Sequence, residues 1–139
     1  MKKTRLKRKS SSDIRKLIDK ADRLLQDYYR TLALDCLVCG NRSDIVHHFV
    51  EKSQSAGLRY EPLNLCPLCR SCHARHHLAG DPEIVGTIIK KKGQAWYNKL
   101  IKLRLSTKGT SLDTAFVSKQ IEKWTKLLQK KHTKGEKAL

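Results

Sequence analysis

The sequence predicts an α+β protein whose small, metal-stapled core is flanked by amphipathic helices, so that the chain is mostly α outside the core. Three observations indicate this class: two CxxC pairs in the middle of the chain, a short β-branched segment between them, and helical spacing of apolar residues on both sides. With 139 residues, 39% of them hydrophobic and 6% aromatic, the chain can bury one modest core. Part of the stability must then come from something other than apolar area.

The N-terminal part combines a basic segment with one amphipathic helix. The first nine residues carry six basic side chains and no acid, which predicts a disordered arm. Serines at 10–12 offer N-caps for a helix over about 13–30, where apolar residues return every three or four positions. The expected organisation is a basic arm at 1–12, an N-terminal helix at 13–35, a core at 36–80, a basic helical extension at 81–131 and a tail at 132–139.

The extension after the core begins with a clear helix signal. Asp81 offers an N-cap, Pro82 suits the first helical position and Glu83 places an acid in the first turn. This helix is expected to end at Gly93. A further helix follows, and a final one is expected over about 111–131.

The charge of the chain indicates a polyanionic partner. The formal net charge is +17, and seven basic residues but no acid lie between Glu83 and Asp113. A solvated helix face is the ordinary explanation of such a run, but the excess recurs in the arm and near the C-terminus, which favours contact with nucleic acid phosphates. The apolar runs are too short for a membrane span, and no signal-peptide stretch follows the basic start, so membrane insertion and secretion are not expected.

The cysteine spacing predicts a structural zinc ion. Cys36 and Cys39 form one CxxC pair, and Cys69 and Cys72 form a second one after 29 intervening residues, the arrangement by which two knuckles supply four thiolates to one ion. Binding energy would add folding energy to this small segment. Cys66 competes for Cys69 but is left out, because Cys72 precedes a histidine at the start of an expected helix. A redox CxxC or unliganded thiols are the alternative.

Five of the six histidines lie in the same segment. On a strand, the neighbours His47 and His48 project to opposite faces, so one can complete a metal site while the other acts beside it. His73 and His77 share a helix face, whereas His76 points elsewhere. The pattern predicts three imidazoles, from His47, His73 and His77, on a catalytic metal with an open position. Ordinary core or surface histidines are the alternative.

These segments resemble an HNH nuclease of the ββα-metal kind. The matching pieces are CLVCG at 36–40, IVHHFV at 45–50 and NLCPLCRSCHARHH at 64–77. The resemblance implies a β-hairpin followed by a helix, with zinc joining the knuckles behind the active centre. It implies His47 as first metal ligand, His48 as general base, Asn64 as the residue that orients the base and its loop, and His73 and His77 as the remaining ligands.

The resemblance predicts a metal-dependent DNA endonuclease that leaves 5′-phosphate and 3′-hydroxyl ends. Its chemistry needs a base that deprotonates water near neutral pH and one catalytic divalent metal, Mg²⁺, Mn²⁺, Ni²⁺ or Zn²⁺. Many family members carry Asp before the base, whereas this chain carries His47, so three imidazoles favour a transition metal. His76 in place of His77 is an alternative ligand. A non-catalytic, zinc-stapled DNA-binding protein is the alternative function. An RNA-binding or RNA-cleaving protein would share the positive charge, but the central segment lacks an aromatic surface on which bases could stack.

Two further segments are similar to phage HNH proteins, including the Rap/NinG recombination endonucleases. They are SAGLRYEPLN at 55–64 and AGDPEIVGTIIKKKGQAWYNKL at 79–100. This likeness implies phage or prophage DNA processing in the cytoplasm of a bacterial host cell. DNA is the expected partner, and cutting both strands would need a homodimer or two successive nicks. Candidate DNA contacts are Arg59, for which a structural salt bridge is the alternative, Arg75, Lys90, Lys91 and Lys92.

Overall fold

Five helices and one two-stranded antiparallel sheet make up the part of the chain that the computed structural model describes, residues 11–137. This confirms the α+β class with a small core and helices outside it. The expected basic arm covers residues 1–12. Of these, residues 1–10 lie outside the described range, and residues 11 and 12 are helical. The elements in chain order are α1 (Ser11–Thr31), β1 (Ile45–His48), a 3-10 turn (Pro62–Asn64), β2 (Leu65–Leu68), α2 (Arg70–His77), α3 (Pro82–Lys92), α4 (Gln94–Ser106) and α5 (Thr114–Lys137).

The ends of α3 follow the sequence signals. The Asp81 carboxylate accepts a hydrogen bond from the Glu83 N–H at 3.0 Å, and Pro82 occupies the first turn. Gly93 ends the helix with φ of +94°, a left-handed conformation that glycine adopts without steric cost. By contrast, α5 continues to Lys137, beyond its expected end at about residue 131. No proline interrupts the sequence there, so the helix carries on.

One hydrophobic core joins α1 and α5 to one face of the sheet. Trp124 of α5 is 1% exposed, and its ring lies beside Tyr28 and Tyr29 of α1, with centroids 5.5 and 5.9 Å away. The buried members of this core are Ala21, Leu25, Val46, Tyr60, Leu65, Val117 and Trp124. Helix α1 is thereby held firmly against the sheet.

Gln26 of α1 also binds the backbone of β1 at its outer edge. Its Nε2 donates to the Val46 carbonyl, and its Oε1 accepts from the Val46 N–H, both at 2.9 Å. A free strand edge would leave both groups unpaired, so the side chain takes the place of a third strand at this point.

The second face of the sheet packs on the cysteine knuckles, α2 and α3. Its buried members are Cys36, Cys66, Leu68, Cys69, Cys72, Ile84 and Ile88. Helix α4 is tied to the 3-10 turn because Nε1 of Trp96 donates to the Leu63 carbonyl at 2.9 Å. Among the described residues, no helix combines the length and apolar character that crossing a bilayer requires.

Candidate active site

His47 faces α2, and its ring lies beside three histidines of that helix. The His47 ring centroid lies 5.4 Å from those of both His73 and His77, which lie 4.4 Å from each other. One ring nitrogen of each residue lies within 4.8 Å of the other two. His73 and His77 are four residues apart and so share one face of α2. Strand alternation in β1 turns the His47 side chain toward that face. Three imidazole nitrogens in such proximity suit a divalent transition metal.

The prediction that His76 points elsewhere is wrong, because its ring centroid lies 5.0 Å from that of His47 and 4.8 Å from that of His77. These ring contacts do not make His76 a member of the same ligand group. Its ligand atom lies within 4.8 Å of those of Glu51 and His77. The trio that contains His47 and His73 therefore includes His77, which favours the first of the two ligand sets expected from the sequence.

Two histidines of the trio, His47 and His73, are held in the neutral form that metals bind. Burial, together with the neighbouring His76, His73, His77 and His48, lowers the pKa of His47 to about 3. Burial also lowers the pKa of His73, together with His77 and His76. Neutral imidazoles offer a lone pair without first losing a proton, so the cluster is ready to take up a cation.

His48 faces the opposite side of the strand and is bound by a backbone carbonyl. Its Nε2 lies 2.8 Å from the carbonyl oxygen of Arg59. A carbonyl only accepts hydrogen bonds, so Nε2 carries the ring proton and Nδ1 keeps its lone pair. Burial lowers the pKa of His48 to about 4, although the hydrogen bond to Arg59 raises it. A neutral imidazole with a free nitrogen is the form that can remove a proton from water.

Both histidines border one cavity of about 410 Å³ along the outer edge of β1. Strand alternation sends their side chains to opposite faces, but the cavity wraps the edge of the strand and reaches both. His48 and the candidate metal ligands therefore border one open space. Other residues around the cavity are Gln26, Ile45, Val46, Glu51, Lys52, Ser53, His73 and His77.

Asn64 holds the loop that follows β1. The fully buried side chain accepts from the Val50 N–H at 2.7 Å and donates to the carbonyls of Val50 and Leu58 at 3.0 and 3.1 Å. These bonds connect the start of the loop to the residue before Arg59. Since a buried polar group without a partner costs about 1–3 kcal/mol, this position strongly requires the amide.

The four knuckle cysteines form the second candidate metal site. Their sulfur atoms all lie within 4.8 Å of one another, and those of Cys39 and Cys69 are 3.6 Å apart. A zinc ion with bonds of about 2.3 Å in a tetrahedron would place its sulfurs about 3.8 Å apart, so the donors fit. Burial raises the pKa of Cys36, but backbone N–H groups that include those of Cys39 and Cys69 lower it to about 7. Such N–H groups stabilise a thiolate ligand.

Cys66 lies outside this cluster. It stands opposite His47 in the strand register and is fully buried in the apolar core. Burial raises the pKa of its thiol to about 11. Cys66 is therefore a small apolar core residue, in agreement with its exclusion from the predicted zinc ligands.

The residues expected to contact DNA differ in whether their positive charge is already paired with a carboxylate. The Arg59 guanidinium binds both carboxylate oxygens of Asp22, at 3.0 and 2.6 Å, and its side chain is 15% exposed. The geometry favours the salt-bridge alternative for this residue. Arg75 is exposed but pairs with Asp81 at 3.0 Å. The lysines at 90–92 form the last turn of α3.

Comparison with known families identifies the centre of the chain. Residues 36–78 match the model of the HNH endonuclease family. This segment, about a third of the chain, is similar to the family, and we call it the HNH domain. It contains both CxxC pairs, His47, His48 and Asn64, so the predicted resemblance is confirmed. Neither a curated protein nor a solved structure matches the chain.

The HNH domain ends before α3, so the match does not extend into residues 79–100, on which part of the likeness to phage recombination endonucleases rests. That likeness stays a prediction.

Helix α1, which precedes the HNH domain, contributes residues that the sequence reasoning did not select. Asp22 binds Arg59, and Gln26 binds β1 and borders the cavity. The two are four residues apart and each follows a buried apolar residue, Ala21 or Leu25. Polar residues at that spacing beside an apolar stripe were the available signal.

Proposed function

We propose that the protein is a metal-dependent DNA endonuclease that hydrolyses phosphodiester bonds. The HNH domain supports a nuclease or DNA-binding function in general. The observation that carries the finer proposal is the arrangement of His48, whose ring proton is on Nε2 and which borders the same cavity as the trio of His47, His73 and His77. A domain that only binds DNA has no need of a free base beside a set of metal ligands.

In the proposed reaction, Nδ1 of His48 takes one proton from a water molecule. The water oxygen bonds to phosphorus, the bond from phosphorus to the 3′ oxygen breaks, and that oxygen takes a proton from solvent. The products are a 5′-phosphate and a 3′-hydroxyl. When bound by the trio, a divalent ion supplies positive charge next to the phosphate and the leaving oxygen. Asn64 and the Arg59 carbonyl keep the base in place.

The trio is tested by replacing its third member, His77, with alanine. The same replacement at a neighbouring histidine is the control. His77→Ala removes one ligand, so we expect Ni²⁺ affinity to fall at least about 100-fold, since even outer-shell partners are worth about 10–100-fold. Metal-dependent plasmid nicking should fall with it. The measurement is calorimetric titration of zinc-loaded protein with Ni²⁺, followed by nicking assays.

His76→Ala is the matched control, because His76 lies on the same helix but outside the trio. We expect it to keep the Ni²⁺ affinity and the nicking rate within about threefold. A larger loss of affinity in His76→Ala than in His77→Ala would contradict the assignment of the trio.

DNA contacts are proposed at the end of α3. Lys90 and Lys91 are exposed, and Lys91 reaches the Val38 carbonyl of the first knuckle at 3.4 Å. Lys92 instead lies over the Trp96 ring, 5.5 Å from its centroid. Lysines at such a helix end can neutralise phosphates without reading bases, so they would position the duplex relative to the site.

The finer role in phage or prophage DNA processing rests on the likeness of residues 55–64 and 79–100 alone. It predicts faster cleavage of branched than of linear duplexes, measured as initial rates at equal DNA concentration. Equal cleavage rates on branched and linear duplexes would contradict this role. A homodimer, one of the two ways to cut both strands, predicts linearised plasmid early in the same reaction, whereas a monomer would accumulate the nicked form first.

A further inference from the structure

The carbonyl that binds His48 belongs to a loop without regular structure. Residues 51–54 of this loop are exposed, and its path from β1 to the 3-10 turn has no strand or helix. Asn64 fixes the Leu58 carbonyl, but the next carbonyl, that of Arg59, carries the bond to the base. The direction of the Arg59 carbonyl therefore depends on what holds the rest of Arg59.

The side chain of Arg59 is held by α1. Its Nε and Nη2 donate to the two carboxylate oxygens of Asp22 at 3.0 and 2.6 Å, which is a two-point contact. Lys52, at the start of the same loop, also reaches Asp22, at 3.4 Å. A two-point guanidinium–carboxylate contact fixes direction as well as distance. Asp22 thus ties the loop to α1 at both of these residues.

Asp22 itself stands on a rigid support. The preceding residue, Ala21, is fully buried in the core that α1 shares with α5. The Asp22 side chain is 21% exposed, so the ion pair is partly protected from water. On the far side of the loop, Gly57 lies so close to α4 that an added Cβ would stand 2.5 Å from Cβ of Thr107. The loop is held between α1 and the end of α4.

We propose that Asp22 is a positioning residue for phosphodiester cleavage, which holds Arg59 so that the Arg59 carbonyl keeps the ring proton of His48 on Nε2. The proposal rests on the proposed function, because it assumes that His48 is the base. It extends the active site to α1, which lies outside the HNH domain. Asp22 touches no reacting atom and acts only through Arg59.

The first test is Asp22→Ala, with Asp27→Ala as matched control. Asp27 lies on the same helix and pairs with Arg30 at 2.9 Å, but both side chains of that pair are about half exposed. We expect Asp22→Ala to lower kcat about 10–100-fold with little change in KM, less than the roughly 10²–10⁴-fold contribution of a base itself. Asp27→Ala should stay within about twofold. Asp22→Glu should recover part of the lost rate.

The second readout is independent of cleavage. Nitrogen chemical shifts of the His48 ring, measured by NMR on the zinc-loaded protein, should show a protonated Nε2 in the wild type. In Asp22→Ala they should shift toward a mixture of the two tautomers, and Arg59→Ala should have the same effect. Adding Asp22→Ala to Arg59→Ala should then change nothing further.

The outcomes separate the two proposals. An unchanged kcat and an unchanged tautomer in a folded Asp22→Ala protein would overturn the positioning role, even if its melting temperature fell. A changed His48 tautomer in Asp22→Ala, combined with full cleavage by His48→Ala, would support the effect of Asp22 on the His48 ring but refute His48 as the base. A variant too unstable to measure is replaced by Asp22→Asn, which keeps the shape and loses the charge.

Discussion

Removal of zinc is expected to unfold the HNH domain. The four sulfur donors come from two CxxC pairs with 29 residues between them, and four of the seven buried residues in the core around them are cysteines. Structural zinc contributes about 10–16 kcal/mol of binding free energy in small domains, as much as the whole stability of a typical protein. Cys69→Ala should therefore lose its zinc and its cooperative thermal transition in circular dichroism.

Cys66→Ala is the control for this prediction. Cys66 is also a buried cysteine, but it lies outside the cluster of sulfur ligands. Elemental analysis should find about one zinc ion per chain in Cys66→Ala and in the wild type, and none in Cys69→Ala. A metal-free wild type that melts at the same temperature as the zinc-loaded protein would contradict a structural role of the metal.

Loss of the imidazole at position 48 should abolish most cleavage while leaving the domain folded. A general base contributes about 10²–10⁴-fold to rate, so His48→Ala should nick plasmid slower by that factor at saturating metal. His47, His73 and His77 remain, so Ni²⁺ affinity should be retained. Rates come from quantified conversion of supercoiled DNA. The control is His132→Ala, since His132 is an exposed residue of α5.

The pKa of His48 adds a pH signature to this result. A base acts only when it is deprotonated, so the rate contributed by His48 falls as the pH drops through its pKa. Because burial lowers that pKa to about 4, the wild-type rate at saturating metal should change little between about pH 8 and pH 6. A steep fall near pH 6.5 would indicate an ordinary exposed histidine as base.

Local spacing was enough to predict which residues come together in the two candidate metal sites. The pairs Cys36–Cys39 and Cys69–Cys72 meet in one cluster because each CxxC makes its own knuckle, and His73 and His77 share a helix face because they are four residues apart. The cap at Asp81 and the end at Gly93 are likewise local effects.

The missing parts of the prediction depend on tertiary packing. The partner of His48 is the backbone carbonyl of Arg59, and backbone groups leave no residue-specific mark in a sequence. The salt bridge from Arg59 to Asp22 joins residues 37 positions apart, and it forms only because α1 packs beside β1. The sequence left Arg59 open between a phosphate contact and a salt bridge for the same reason.

The two candidate metal sites have environments that suit different tasks. Three of the four cysteines of the cluster are buried in an apolar core with Ile84 and Ile88, where an ion would hold the fold together. The histidine trio borders the open cavity, where an ion keeps room for substrate. This division is the structural basis of the proposed nuclease.

The most direct test is cleavage of supercoiled plasmid by the zinc-loaded protein with Mg²⁺, Mn²⁺, Ni²⁺ or Zn²⁺ added, beside folded, zinc-loaded His48→Ala. The account predicts nicked or linear DNA only when a divalent metal is added, and its loss in the variant. No cleavage with any of these metals, while tight and salt-sensitive DNA binding is retained, would contradict it and identify a non-catalytic DNA-binding protein with an HNH domain.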